Sequence, residues 1–277
     1  MKLYETKMDQ NTIPFRWNIT NKSELGKLLN PNFVIYKDLL EDLRLCVAKI
    51  IKFTAGENLV FVGRSLDSAY DYLSGYYLDS KPKDYLKHLN ISLFGQSIEE
   101  IGNKDPQSLN ELKKHFKLLN LDPHSLKKSK HKNYFVDVVY YGGTYTEIYN
   151  FLKSWCHEIK EDFPAVLHKI GFIGVTSRTK NSPNTWRWHQ NKDWPQDLSK
   201  NSLKNISVDR YYWSYLGDNQ AKLTRSNRPK NWLHQPIEKQ DYTEDTIKAI
   251  NEAYFLFQIS QTSEERKLLK RLIPKLK

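Results

Sequence analysis

The chain has 277 residues, a net charge of +11, 39% hydrophobic and 13% aromatic residues. That length can bury a large core in one domain or two small ones, and the periodic apolar segments along it argue against disorder. No apolar run approaches the 18 residues of a membrane span and the first residues lack the apolar stretch of a secretory signal, so a cytoplasmic protein with no membrane contact is expected.

Residues 1–35 are polar and turn-rich and are expected to form an N-terminal strap. Residues 36–54 carry Leu39, Leu43, Cys46, Val47, Ile50 and Ile51 at helical spacing, and Gly56 follows as a stop. Cys46 and Cys156 both fall on apolar helix faces and are expected as buried thiols. The short apolar run 58–63, bounded by turn residues, predicts a buried strand. Arg64 and Ser65 then form a tight loop, with Ser65 as the expected cap of a helix over residues 66–77. Asp67 and Asp71, at helical spacing in that helix, are expected to favour its start and face solvent, with a role near Mg²⁺ as the alternative.

A second strand is expected over residues 89–95, and 96–132 reads as a polar stretch with one weak helix near 109–119 and a basic run, Lys127, Lys128, Lys130 and Lys132. The next segment, YFVDVVYYGGTYTEIYNF, predicts a strand over 134–140, a glycine turn, and a helix over about 144–160 with Ile148, Phe151, Leu152, Trp155 and Ile159 on one stripe. A further strand is expected over 168–176. Alternating strands and helices predict an α/β protein with a mainly parallel sheet and helices on both faces. Ligands in such sheets sit at the carboxyl ends of the strands, an edge shared by the loops at 63–65, 140–144 and 176–179.

From residue 177 the texture changes to Asn, Pro and Trp without a period, and five of the seven tryptophans lie between Trp186 and Trp232. Trp186, Arg187, Trp188 and His189 combine stacking surfaces with cationic groups suited to a nucleobase or single-stranded nucleic acid; equally, tryptophans anchor loop-rich lobes by the area they bury. Arg178, Asn184, Arg187 and Asp218 are the candidates for polar contacts there. Two helices close the chain, one over 243–259 and one opened by a Thr262–Glu265 capping box. The divisions expected are thus a strap over 1–35, an α/β core over 36–176, and a loop-rich, partly helical C-terminal lobe over 177–277.

The turn at Gly142, Gly143 and Thr144 has a specific chemical capacity. Amides at a helix start are unpaired, glycines let backbone approach a ligand, and the helix dipole favours an anion, so the turn suits a phosphate monoester. Asp137, at the end of the preceding strand, suits the hydroxyls of an attached sugar; the same residues also serve as an ordinary strand-to-helix turn.

In residue order this region resembles the type I phosphoribosyltransferase family. The family signature is an apolar run, two acids, two variable residues and a Thr-Thr-Gly-Gly-Thr-like loop that opens a helix. Here the matching stretch is YFVDVVYYGGT: Asp137 stands at the second acid, Val136 at the first, and Tyr140 and Tyr141 where small hydroxyl residues are usual, while Gly142, Gly143 and Thr144 match directly. Upstream, LVFVGRSLDSAYDYL is similar to the family's first strand and pyrophosphate loop, and the resemblance covers roughly 36–176. It implies a phosphoribosyltransferase-like core that binds phosphoribosyl pyrophosphate or a related nucleotide. Tyr141 to Thr144 would wrap the 5′-phosphate and Asp137 would meet the ribose. Gly63, Arg64 and Ser65 would face pyrophosphate with Mg²⁺, and any of Lys127, Lys128, Lys130 and Lys132 could cover it, with an ordinary solvated lysine run as the favoured alternative. The expected reaction is transfer of the phosphoribosyl group to a nitrogen nucleophile. A nucleotide-sensing regulator on the same fold and a basic nucleic-acid-binding protein remain the alternatives.

Overall fold

The computed structural model describes residues 16, 19–20, 25–80, 85–93, 95–180, 187–199, 201–229 and 243–275. Helix α1 (Lys37–Thr54) leads into β1 (Asn58–Val62), α2 (Asp67–Tyr77) and β2 (Leu86–Leu89). Three helices follow, α3 (Ile98–Lys104), α4 (Pro106–Leu118) and α5 (Pro123–Lys128), then β3 (Asn133–Val138), α6 (Gly143–Glu158), α7 (Phe163–Leu167) and β4 (Ile170–Ser177). The remaining elements are β5 (Leu203–Val208), α8 (Arg210–Ser214), α9 (Glu244–Ile259) and α10 (Ser263–Lys275).

The five strands form one all-parallel sheet in the order β2-β1-β3-β4-β5. Helices cover both faces, as a parallel sheet requires. One face buries Val60, Phe135 and Phe172 against α3 to α7; the other buries Leu59, Phe61, Val136 and Ile173 against α1, α2 and α8 to α10. Both cysteines are buried free thiols. A smaller cluster of Leu25, Leu223, Ile250 and Phe257 holds the described part of the N-terminal segment against α9. No helix among the described residues is long and apolar enough to cross a membrane.

Several local expectations are corrected. The second strand occupies 86–89, not 89–95, because Lys87 and His88 lie inside it and break the apolar signature. The stretch 96–132 holds three helices, two of them opened by an Asp cap with a following proline, Asp105-Pro106 and Asp122-Pro123. Ser65 caps nothing: α2 starts at Asp67 after Leu66, with no side-chain cap bond. Ile159, expected on the buried stripe of α6, is exposed beyond its end. The segment after residue 177 supplies β5, so the sheet draws its fifth strand from the stretch expected as a lobe.

The final helix is tied down by a buried ion pair. Arg44 of α1 donates two hydrogen bonds to Glu265 of α10, at 2.5 and 2.6 Å, and the Tyr72 hydroxyl of α2 donates a third at 2.8 Å. In the capping box, Thr262 Oγ1 accepts from Glu265 N at 3.2 Å, while the Glu265 carboxylate is committed to Arg44. Removing one member of such a pair strands the other in the interior. Glu265→Ala should lower unfolding free energy by about 3–5 kcal/mol in urea titration, and the double replacement Arg44→Met with Glu265→Leu should recover most of the loss.

Candidate functional site at the carboxyl edge of the sheet

The strand order sets where a ligand can enter. The chain moves outward from β1 to β2, then returns to the other side of β1 for β3, so the connections leaving β1 and β3 diverge at their carboxyl ends, the switch point at which parallel sheets take ligands. Gly63 ends β1 at φ +69° and donates its N–H to Leu89 O at 2.9 Å. Arg64 follows, half-buried, and among the described residues its guanidinium has no hydrogen bond and no ion pair. Burial depresses its pKa; Asp67 partly offsets this, and the nearby Arg228 adds a smaller depression. Ser65 is half-buried beside it.

On β3, Asp137 is 8% exposed, and its Oδ1 accepts from the Val138 N–H at 2.7 Å. Burial pushes its pKa up to about 8, only partly opposed by the Val138 N–H and the Lys222 charge. Tyr140 and Tyr141 come next, both exposed and in edge-to-face contact at 4.2 Å, and Tyr140 lies 5.9 Å from Trp213. Gly142 then caps α6 in the left-handed region at φ +75°, and Gly143 is the first residue of the helix.

The two glycines differ in why they are glycines. A Cβ on Gly142 would lie 2.3 Å from the Trp188 ring, and one on Gly174 of β4 would lie 2.6 Å from Trp188 Nε1. The indole therefore fills the space these two residues leave, with its N–H on Asn205 Oδ1 at 2.6 Å. Gly143 has an ordinary φ, is exposed, and a Cβ there would meet nothing within 4 Å. Thr144, half-buried, occupies the next position of the first turn.

The sequence reading missed a group of buried charges at this edge. Asp67 and Asp71, expected to face solvent, are each 2% exposed. Asp67 accepts from Thr224 N and Thr224 Oγ1, both at 3.0 Å, and lies 3.2 Å from His88 Nε2. Burial opposes its charge, but Arg16, His88 and the Thr224 N–H outweigh that and hold its pKa low. Asp71 pairs with Arg16, which also bridges to Thr224 and packs over Tyr70. Burial lifts the Asp71 pKa in spite of Arg16, with Asp67 adding to the rise. Lys222 enters the same region from the C-terminal part of the chain and donates to Leu216 O at 2.5 Å and Gln220 Oε1 at 3.0 Å. Burial brings its pKa down to about 8; Asp67, Glu252 and Asp137 favour its charge and Arg64 opposes it. Lys222 is thus the cation in electrostatic reach of both Asp137 on β3 and Arg64 after β1. Nothing in the local sequence around Lys222 marks it, because its surroundings come from distant segments.

Other candidates fall elsewhere. Arg178 is exposed just past β4, within electrostatic reach of Asp42. Arg187 lines a groove beside β5, and Asp218 is exposed on the π turn Tyr215–Asn219. Trp186 and Asn184 lie outside the described residues. Trp188, weighed as a stacking surface, is buried at 2%. The lysines 127–132 precede β3 and so stand at the amino edge, where Lys127 bonds Glu161 at 2.7 Å and Lys132 bonds Ser202 at 2.6 Å; they do not cover the carboxyl edge. The oxygens of Asp67 and Asp71 are engaged by Thr224, His88 and Arg16, and among the described residues no cluster of three acidic, His or Cys side chains could hold a metal, so no residue is assigned to Mg²⁺.

Comparison with family models, with curated proteins and with solved structures finds no match to this chain.

Asp137 carries a testable cost. Its carboxyl stays protonated in the folded chain up to about pH 8, whereas the unfolded carboxyl ionises near pH ~4. The unfolded state therefore holds fewer protons in that window, and stability falls as pH rises through it. Asp137→Asn removes this contribution. The variant should melt above wild type at pH 8, by on the order of a few kcal/mol, and converge with it near pH 4; parallel melting curves across that range would show that the carboxyl is ionised.

Proposed function

We propose that the protein binds a phosphoribosyl compound, phosphoribosyl pyrophosphate or a related nucleotide, across the switch point between β1 and β3. The observation that carries this reading is Gly143. The fold requires Gly142, for its positive φ and for Trp188, but nothing in the packing requires glycine at the next position. A glycine at the first turn of a 16-residue helix, with open space where a Cβ would stand, leaves a phosphate monoester free to approach the unpaired amides of that turn. In this reading the amides of Gly143 and Thr144 hold the 5′-phosphate, with Tyr141 and Gly142 shaping the turn behind it.

Arg64 supports the second half of the ligand. A half-buried guanidinium with no ion pair among the described residues, with Arg228 and Lys222 nearby and Asp67 offsetting them in part, can take an added anion, and its planar donors suit a diphosphate. Gly63 and Ser65 flank it. Asp137 is the ribose contact; protonated, it donates to a hydroxyl, and ionised, it accepts. Tyr140 offers an exposed ring beside the turn for a base.

One observation favours binding without turnover. Val136, at the position where the resembled family carries its first acid, is fully buried in the opposite face of β3 beside Leu59 and Ile173. A carboxylate there would face an apolar core, so this strand presents a single acid to the ligand. A nucleotide-sensing regulator is therefore the second reading, with phosphoribosyl transfer to a nitrogen nucleophile as the activity that separates the two.

Thermal melting with phosphoribosyl pyrophosphate and magnesium tests the site. A ligand at a hundred times its dissociation constant should add about 2.7 kcal/mol. Gly143→Ala should leave the free protein as stable as wild type, or more stable by about 0.5–1 kcal/mol, yet lose most of the ligand shift. An undiminished shift in that variant would sink the phosphate assignment. Release of pyrophosphate on adding a nitrogen base would mark a transferase, and its absence a binder. Absence of any shift, together with steeply salt-dependent binding to single-stranded nucleic acid, would replace the reading altogether.

A further inference from the structure

A groove of about 730 Å³ runs along the outer edge of β5, two strands away from β3. β5 pairs with β4 on one side, and among the described residues no strand pairs with the other. Ser202 O accepts from Phe172 N, so strand alternation turns the backbone groups of Leu203, Asn205 and Ser207 toward the open side. Lys49 confirms that direction by donating to Ser207 O at 2.9 Å, which leaves the Leu203 and Asn205 end of the edge as the part available for pairing. Two walls rise beside this edge. Phe53, in the last turn of α1, forms one, with Lys204 on the same sheet face; Arg187, His189 and Leu198 line the other.

The charge of the groove is one-sided. Arg187, His189 and Lys204 line it, and among the described residues no carboxylate does. Burial and then Arg187 hold the His189 pKa below its ordinary value, favouring the neutral imidazole, so the positive charge of the lining is that of Arg187 and Lys204. Asn205 adds an oriented donor: the Trp188 indole fixes Oδ1 at 2.6 Å, which leaves Nδ2 as the end available to a ligand. An open strand edge between two walls, one of them aromatic, with positive charge on both, matches strand addition by an extended chain, in which main-chain bonds supply affinity and alternate side chains supply choice.

We propose that the β5 edge binds an extended peptide segment with acidic side chains, which joins the sheet as a sixth strand. A second copy of β5 is a poor occupant, because Lys204 would meet its own charge. The site is independent of the phosphoribosyl reading.

Fluorescence anisotropy tests this with a capped, fluorescein-labelled peptide of alternating valine and glutamate, about eight residues long. Saturable binding is expected at low salt, weakened about tenfold by Lys204→Glu. Peptides with lysine in place of glutamate, or with N-methyl groups on alternate amides, should not bind. Arg187→Glu, on the exposed turn, provides the same reading should Lys204→Glu fail to fold. Failure of the acidic peptide to bind, binding indifferent to N-methylation, or sedimentation showing that β5 edges of two copies pair with each other would overturn the proposal.

Discussion

The indole of Trp188 decides the geometry of the carboxyl side of this sheet. It lies where Cβ atoms of Gly142 and Gly174 would be, bonds Asn205 on β5, and packs 5.3 Å from the Tyr145 ring of α6. One side chain thereby joins the turn after β3, the middle of β4, the edge strand and the first turn of the helix. The left-handed conformation at Gly142 is part of the same fit, since only glycine reaches φ +75° without strain while leaving room for the ring. Tyr145 secures the helix from below, donating to Ile173 O at 2.7 Å. The direction in which the α6 amides point follows from a residue more than forty positions later in the chain.

That dependence explains what was readable in advance. Segments whose signal is local, such as the helix over 37–54, the apolar strands at 58–62 and 133–138, and the glycine turn before α6, could be read from spacing and turn chemistry. Elements whose stability comes from distant partners could not. Strand β2 contains Lys87 and His88, polar residues that make sense only beside Asn133 and Asp67. Strand β5, LKNISV, has weak alternation, and its pairing with β4 defines it. Asp67 and Asp71 read as solvent-facing because helical spacing alone cannot reveal that Arg16 and Thr224 arrive from both ends of the chain. At the candidate site the loop residues were legible, but Lys222 was not.

The net charge of +11 is likewise less informative than where individual charges stand. Lys127 and Lys132 are engaged at the amino edge by Glu161 and Ser202, and Lys113 by Glu158, so these lysines are locally committed. What distinguishes the carboxyl edge is imbalance at short range and low dielectric. Lys222 and Asp137 each titrate near 8, from opposite directions, because burial disfavours the charged form of both. Groups held in that condition oppose folding unless a ligand compensates them, which is why perturbed pairs gather at functional sites.

Three arginines make the contrast sharpest. Arg44 is closed off by two hydrogen bonds to Glu265, and Arg16 is bound to Asp71 with Asp67 close by; both hold elements together. Arg64 has comparable shelter and lies nearest to Asp67, yet that carboxylate has its oxygens occupied by Thr224 and His88. A guanidinium half-removed from water, with only a committed carboxylate in electrostatic reach, loses solvation and gains no hydrogen bond among the described residues. In the proposed reading, the charge on Arg64 is what an anionic ligand would meet at the carboxyl edge, where the connections from β1 and β3 diverge.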